Sequence, residues 1–227
     1  MLETRVWKTT KLLVTRLALA LELAAYASTA LDLGYLESRS RYPYLMPMAE
    51  ITLGDYRVLA TPDGLPGIHS SYREHAVLAE EFDLDATAGS LCFFAVGERA
   101  GDWPSLVVAQ RYDPSGWGFN PGLLIVRETD IVFIGAGTRV LAYKLRPQPS
   151  RLWLDQAAIG FWGWSRFGDL IFMSAEIELA AWSIDGRKLW TTYVEPPWTF
   201  LVSNEEVHLD VMGDKSSFPA ATGPRAG

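Results

Sequence analysis

The side chains with which this sequence can do acid–base or metal chemistry are few: three histidines, one cysteine and scattered loop carboxylates. His208 and Asp210 stand two apart in an alternating run, so a strand there puts imidazole and carboxylate on one sheet face, placed for proton transfer. Glu195, ahead of the diproline in Glu195-Pro-Pro-Trp198, is a third candidate for that role. His69 and His75 are six apart, with Glu74, Glu80 and Glu81 nearby. Zinc helices use i, i+4 histidines, which share a face, and a spacing of six does not, so no metal is expected. Cys92 sits inside the apolar run Leu-Cys-Phe-Phe and reads as a buried, inert thiol; alone, it can build neither an internal disulfide nor a thiolate cluster. No nucleophile stands with its base, and the sequence leaves catalysis open.

Ile134-Gly-Ala-Gly-Thr-Arg-Val140 begins like a dinucleotide fingerprint, with Asp155 about 20 residues on, where a ribose-binding acid belongs. Val140 occupies the third glycine position, and Pro147 and Pro149 forbid the helix that must follow. A hairpin turn between Ile131 and Val140 explains these glycines better, and no cofactor is expected.

Aromatic residues carry more information. Trp117 lies in Asp113-Pro-Ser-Gly-Trp-Gly-Phe-Asn-Pro121, Trp162 and Trp164 in Phe161-Trp-Gly-Trp-Ser-Arg166, and Trp198 follows the diproline. A glycine beside a tryptophan leaves one flank of the ring open. Such rings either wedge between sheets or project into a groove. Three such segments, read as loops, make an aromatic-lined peptide cleft the expected site, formed by Trp117, Trp162, Trp164 and Trp198.

The elements that must position these residues follow from composition and pattern. With 49% hydrophobic and 21% charged residues, 227 residues can bury a sizeable core. A net charge of −7 and the lack of a Lys/Arg block argue against nucleic acid as partner. Residues 1–38 read as a helical segment: Leu17 to Ala27 is rich in Ala and Leu, and Glu22 in its middle makes a membrane span costly. Its apolar surface is consistent with a helix-mediated homodimer. A single cysteine and no convincing export signal point to the cytoplasm. Residues 39–227 form the second part, short β-branched or aromatic strands between turn residues.

Within that part the chain repeats itself. Asp130-Ile-Val-Phe-Ile134 matches Asp169-Leu-Ile-Phe-Met173, and Val140-Leu-Ala-Tyr-Lys-Leu145 matches Leu179-Ala-Ala-Trp-Ser-Ile184, both at an offset of 39. Arg151-Leu-Trp153 matches Lys188-Leu-Trp190 at 37. The units run over 130–167 and 169–205, with a third, decayed copy over 206–218. The expected fold is mainly β, a partial propeller or curved antiparallel sheet repeats with an N-terminal α-helix. A closed ring needs about four blades of four strands, which this length barely allows.

Ala180-Ala-Trp-Ser-Ile-Asp-Gly-Arg-Lys-Leu-Trp190 resembles the blade motif of quinoprotein-type β-propellers, which implies fold and not quinone chemistry. Trp190-Thr-Thr-Tyr-Val-Glu-Pro-Pro-Trp198, with Val207 to Gly213 and Ser217-Phe-Pro219, resembles the peptide-binding maturation proteins of crocagin-type ribosomal-peptide pathways. That resemblance implies a protein that holds a short aromatic peptide and assists its cyclisation, and it transfers no catalytic residue. The competing expectation is a non-enzymatic interaction module, an immunity or scaffold protein docking through an edge strand or the N-terminal helix.

Overall fold

Short alternating runs punctuated by Gly, Asp and Asn let most strands reach a neighbour by a turn, and the result is four sheets, antiparallel except at the β3 edge of the first. The computed structural model describes residues 48–113 and 120–225. The expected N-terminal helix and Trp117 lie outside the described residues. Sheet 1 contains β1 (Ala49–Leu53), β2 (Tyr56–Thr61), β3 (Leu78–Phe82), β4 (Ser90–Glu98) and β5 (Leu106–Tyr112), in the order β1-β2-β4-β5-β3. A short helix, α1 (His69–His75), precedes β3, which joins the edge parallel to β5. Sheet 2 is the meander β6 (Gly122–Val126), β7 (Ile131–Ala136), β8 (Arg139–Lys144) and β9 (Ser150–Gln156). Sheet 3 repeats it with β10 (Phe161–Phe167), β11 (Leu170–Ala175), β12 (Glu178–Ser183) and β13 (Lys188–Tyr193). Sheet 4 has β14 (Trp198–Ser203), β15 (Glu206–Val211) and β16 (Asp214–Pro219).

Each gap between successive sheets is filled by its own apolar cluster. Val58, Phe94 and Leu106 of sheet 1 meet Val132, Ile134 and Leu141 of sheet 2. Phe133 and Ala142 meet Phe161, Met173 and Trp182 of sheet 3, and Phe172 and Leu179 meet Trp198, Val207 and Phe218 of sheet 4. Sheets 2 and 3 approach each other where β10 runs beside β6 and β7. Farther out, the Leu-Trp strands provide a clasp that recurs: Trp153 Nε1 donates to Gly186 O at 2.6 Å and Trp190 Nε1 to Ala220 O at 2.7 Å. In each case a tryptophan on the fourth strand holds a turn of the next sheet. Tyr143 and Arg151 both donate to the Glu80 carboxylate, at 2.6 and 2.9 Å, tying β8 and β9 to β3.

Both ends of the stack are finished differently from its interior. The outer face of sheet 1, with Leu59, Phe93 and Val107, is covered by Tyr72 of α1 and by Leu65, Ala76 and Leu84. The outward face of sheet 4 carries Thr199, His208, Asp210, Lys215 and Ser217, with Leu201 its one large apolar side chain. Neither end of the described stack offers a continuous apolar face to a further sheet, as terminal repeats of stacked proteins require.

The glycines of Ile134-Gly-Ala-Gly137 behave as the hairpin reading expects: the β7–β8 turn falls at Gly137, whose φ is +58°. Cys92 is buried, and burial pushes its thiol up to about 12, Gln110 opposing. The sheets begin one strand earlier than the sequence units. Phe161-Trp-Gly-Trp-Ser-Arg166 is strand β10 and not a loop.

Candidate functional site

Strand β10 gathers three buried side-chain polar groups that find no partner. Its pairing with β11 slips between Phe161 and Gly163, a bulge that breaks the period of two. Phe161 and Trp164 therefore share the face toward sheet 2, while Trp162 packs toward sheet 4. Trp162 stacks on Trp198 with ring centroids 5.4 Å apart and 13° between planes. Trp164 lies among Phe133, Phe161 and Trp182, at 5.4, 5.4 and 5.5 Å. The indole nitrogens of Trp162 and Trp164 and the Ser165 hydroxyl are buried with no hydrogen-bond partner in the described structure. The contrast is within one residue type: Trp153, Trp190 and Trp198 each donate to a carbonyl, Trp198 to Glu176 O at 3.0 Å.

The same strand is a sheet edge. One side of β10 pairs with β11, and among the described residues no strand pairs with the other. Gly163, between the two tryptophans, would put a Cβ into open space, with nothing within 4 Å. Trp162, Trp164 and Trp198 are thus brought together around one gap or its neighbour, although Trp198 is only 7% exposed and belongs to the packing between sheets 3 and 4. Gly163 and Ser165 were not distinguishable in the sequence. Their significance comes from the bulge and from which carbonyls the other indoles find.

Of the three proton-transfer candidates, two face away from these rings. Glu195 is exposed in the β13–β14 connector. His208 is exposed on the outward face of β15, beside Leu201 and Ser217, and Asp210 on that face accepts the Gly213 N–H at 2.9 Å. Trp198 points to the opposite face of sheet 4, so the structure does not bring His208 or Asp210 to the β10 tryptophans.

Two further polar sites lie in and around sheet 1. A cleft of about 280 Å³ is lined by Asp83, Arg111, Tyr112, Arg139 and Ile159, among others. Its cations are engaged: Arg139 pairs with Asp83 at 2.6 Å, and Arg111 donates to the carbonyls of Asp83, Leu84 and Gly89. Over sheet 1, His69 meets Phe93 edge-on at 5.6 Å, with Glu81 at 3.3 Å. Burial lowers the His69 pKa below its ordinary 6.5, Glu81 opposing and Arg73 assisting. A histidine that is less basic folded than unfolded contributes full stability above pH 6.5 and loses it as pH falls from there toward the folded value. We expect the thermal midpoint to drop between pH 7 and 5 more in the parent than in His69→Gln. Equal drops in the two proteins would exclude His69 as the titrating group.

The chain is a stack of blade-like antiparallel sheets carrying an open strand edge rimmed by unpartnered indoles. No family model and no curated protein matches its sequence. Among solved structures it is similar to BamB from Moraxella catarrhalis, with a TM-score of 0.42 and 11% identity over 76% of this chain and 51% of that one. It is also similar to the computationally designed Ika8 protein, with a TM-score of 0.39 and 12% identity over 77% of this chain and 58% of that one. The chain therefore spans between half and three fifths of the length of these two proteins. No helix among the described residues is long and apolar enough to cross a membrane.

Proposed function

We propose that this protein binds a short, aromatic-bearing peptide as an added strand along the free edge of β10. The carrying observation is the pair of buried, unpartnered indole N–H groups of Trp162 and Trp164 flanking Gly163, where a Cβ would meet nothing. A buried donor without an acceptor costs about 1–3 kcal/mol, and a peptide carbonyl at the edge would remove that cost. Strand addition supplies main-chain hydrogen bonds, while the flanking gaps receive alternate side chains. The C-terminal resemblance to crocagin-type maturation proteins supports the same reading. The reading stops at holding the peptide, since His208 and Asp210 lie on the face of sheet 4 opposite Trp198, which stacks on Trp162.

Gly163→Leu tests it directly. The backbone there needs no positive φ and the added side chain has room, so circular dichroism and thermal midpoint should stay at parent values. Binding of short peptides encoded beside the gene, read by native mass spectrometry and calorimetry, should weaken at least tenfold. Unchanged affinity would remove β10 as the site.

One observation favours a second reading, a docking module for a folded partner. Trp103 is 40% exposed and stacks on His75 at 4.1 Å, and Val77 beyond the helix is 61% exposed. Exposed aromatic and aliphatic side chains of this kind mark protein contacts. If no peptide binds the parent protein, this reading takes first place.

A further inference from the structure

Ile159 is held in a backbone conformation that its own side chain resists. Its φ is +68°, in the left-handed region, where a β-branched residue is an outlier. Burial does not explain the choice, since Ile159 is 59% exposed. The loop around it is fixed from both sides. Ala157 N donates to Thr138 O at 2.8 Å, Ala158 N to Glu178 Oε2 at 2.7 Å and Phe161 N to Gly137 O at 2.7 Å. Strained residues that their surroundings hold in place cluster at ligand sites. Ile159 lines the cleft of about 280 Å³ that opens where β3, β5 and β7 end, together with Asp83, Arg111, Tyr112, Ala136 and Arg139.

The polar groups of this cleft are not equally free. Arg111 donates through all three of its nitrogens to backbone carbonyls. Arg139 commits Nη2 to Asp83, and its guanidinium carbon lies 4.7 Å from the centre of the Phe82 ring. Nε and Nη1 of Arg139 donate to no described residue, and neither atom is sealed from solvent. The two members of the ion pair differ in their access to water: the Arg139 side chain is 23% exposed and that of Asp83 62%. Water satisfies the exposed carboxylate, whereas a mostly buried guanidinium with unused donors gains more from an added acceptor. Asp113, also exposed at the cleft, leaves that comparison unchanged. The contrast favours an anionic ligand group over an ammonium. A doubly charged anion would be repelled by both aspartates, so one carboxylate fits better than a phosphate. Tyr112, Ala136 and Ile159 supply apolar wall beside the charge. A cavity of about 150 Å³ holds one benzene, so this cleft has room for a ring and a short chain.

We infer that the cleft binds a small monocarboxylic acid with an apolar body, its carboxylate on Arg139 and its body against Ile159. The site is separate from the β10 edge and does not rest on the peptide reading.

The probes are 3-phenylpropanoate and 4-methylpentanoate, with 3-phenylpropanamide, 3-phenylpropylamine and acetate as comparisons, titrated into the full chain by ligand-observed NMR. Both acids should bind the parent, and each comparison compound should bind at least about tenfold more weakly, the size of one lost charge-assisted hydrogen bond or apolar contact. Asp83→Asn should tighten acid binding severalfold and leave the amide unchanged, because it removes a competing negative charge. Arg139→Gln should bring the acids down to the level of the amide. Ile159→Gly should weaken the acids about tenfold and yet raise the thermal midpoint by about 2–4 °C, because glycine carries no strain at this φ. An amide or amine that binds as well as the acids, acid binding that Asp83→Asn leaves unchanged or weakens, or a parent that binds neither acid would overturn the inference. So would an Ile159→Gly protein that keeps full affinity or melts no higher than the parent. Should Arg139→Gln lose its native near-ultraviolet spectrum, the Asp83 and Ile159 variants decide alone.

Discussion

Gly135→Val is expected to remove a large fraction of the folding stability. A Cβ at Gly135 would lie 2.6 Å from both Cδ2 and Cε2 of Phe161, inside any allowed contact. Gly122, directly across from Gly135 in the β6–β7 pair, would bring a Cβ to 3.3 Å from the same ring. The two glycines thus form the seat into which sheet 3 sets Phe161, which is fully buried. Overfilling such a seat costs about 1–3 kcal/mol, and a branched side chain lies at the upper end or beyond it. Against a total stability of roughly 5–15 kcal/mol, that is a large fraction. Urea titration should show a midpoint well below the parent's for Gly135→Ala and lower again for Gly135→Val. Adding Phe161→Leu should recover part of the loss, because the two side chains compete for one space. An unchanged midpoint for Gly135→Ala would mean that the ring is not wedged there.

Trp190→Ala should have an effect of similar size, located at the other end of the stack. Trp190 is 9% exposed, packs on Phe172 and Phe218 at 5.8 and 5.4 Å, and donates its indole N–H to Ala220 O. Gly223, with φ of +74°, lies against it so closely that a Cβ would meet Trp190 Cγ at 2.5 Å. Truncation removes the ring, opens a cavity and strands the carbonyl, for about 3–5 kcal/mol. Trp190→Phe keeps most of the packing and loses the hydrogen bond, for about 1–2 kcal/mol. Limited proteolysis should cut Trp190→Ala first within β14–β16 while sheets 1 to 3 resist. Simultaneous cleavage throughout the chain would show that sheet 4 is not held by this residue.

Much of the fold was legible because alternation and turn chemistry act locally. The offset between Asp130-Ile-Val-Phe and Asp169-Leu-Ile-Phe reflects a kept hairpin, strands β7–β8 and β11–β12, whose residues fill both flanking gaps. The first strand of each sheet was harder to read. Gly122-Leu-Leu-Ile-Val126 and Phe161-Trp-Gly-Trp-Ser-Arg-Phe167 occupy the same place in consecutive sheets yet share no pattern. In β10 the bulge at Gly163 sends successive tryptophans to opposite gaps, which no period of two anticipates. Most of the site was illegible for a related reason. Trp153 and Trp190 share a Leu-Trp pattern that Trp162 lacks, yet only the placement of distant carbonyls decides which indole finds a partner. His208 and Asp210 do share a face, as their spacing requires, but that face is the solvated end of the stack.

The meander order of sheets 2 to 4 also bears on how the chain is made. Every strand pairing from β6 onward joins sequence neighbours, so each of these sheets can close within tens of residues of emerging from the ribosome. Contacts this local make for fast folding. Sheet 1 differs: β3 must wait for β5, to which it pairs in parallel, before its edge exists. The inner face of sheet 1 then finds cover only when β7 and β8 follow. Of the four sheets, the one made first is thus the slowest and least local, its apolar face stands open until the second sheet arrives, and that interval is when a chaperone has most to do.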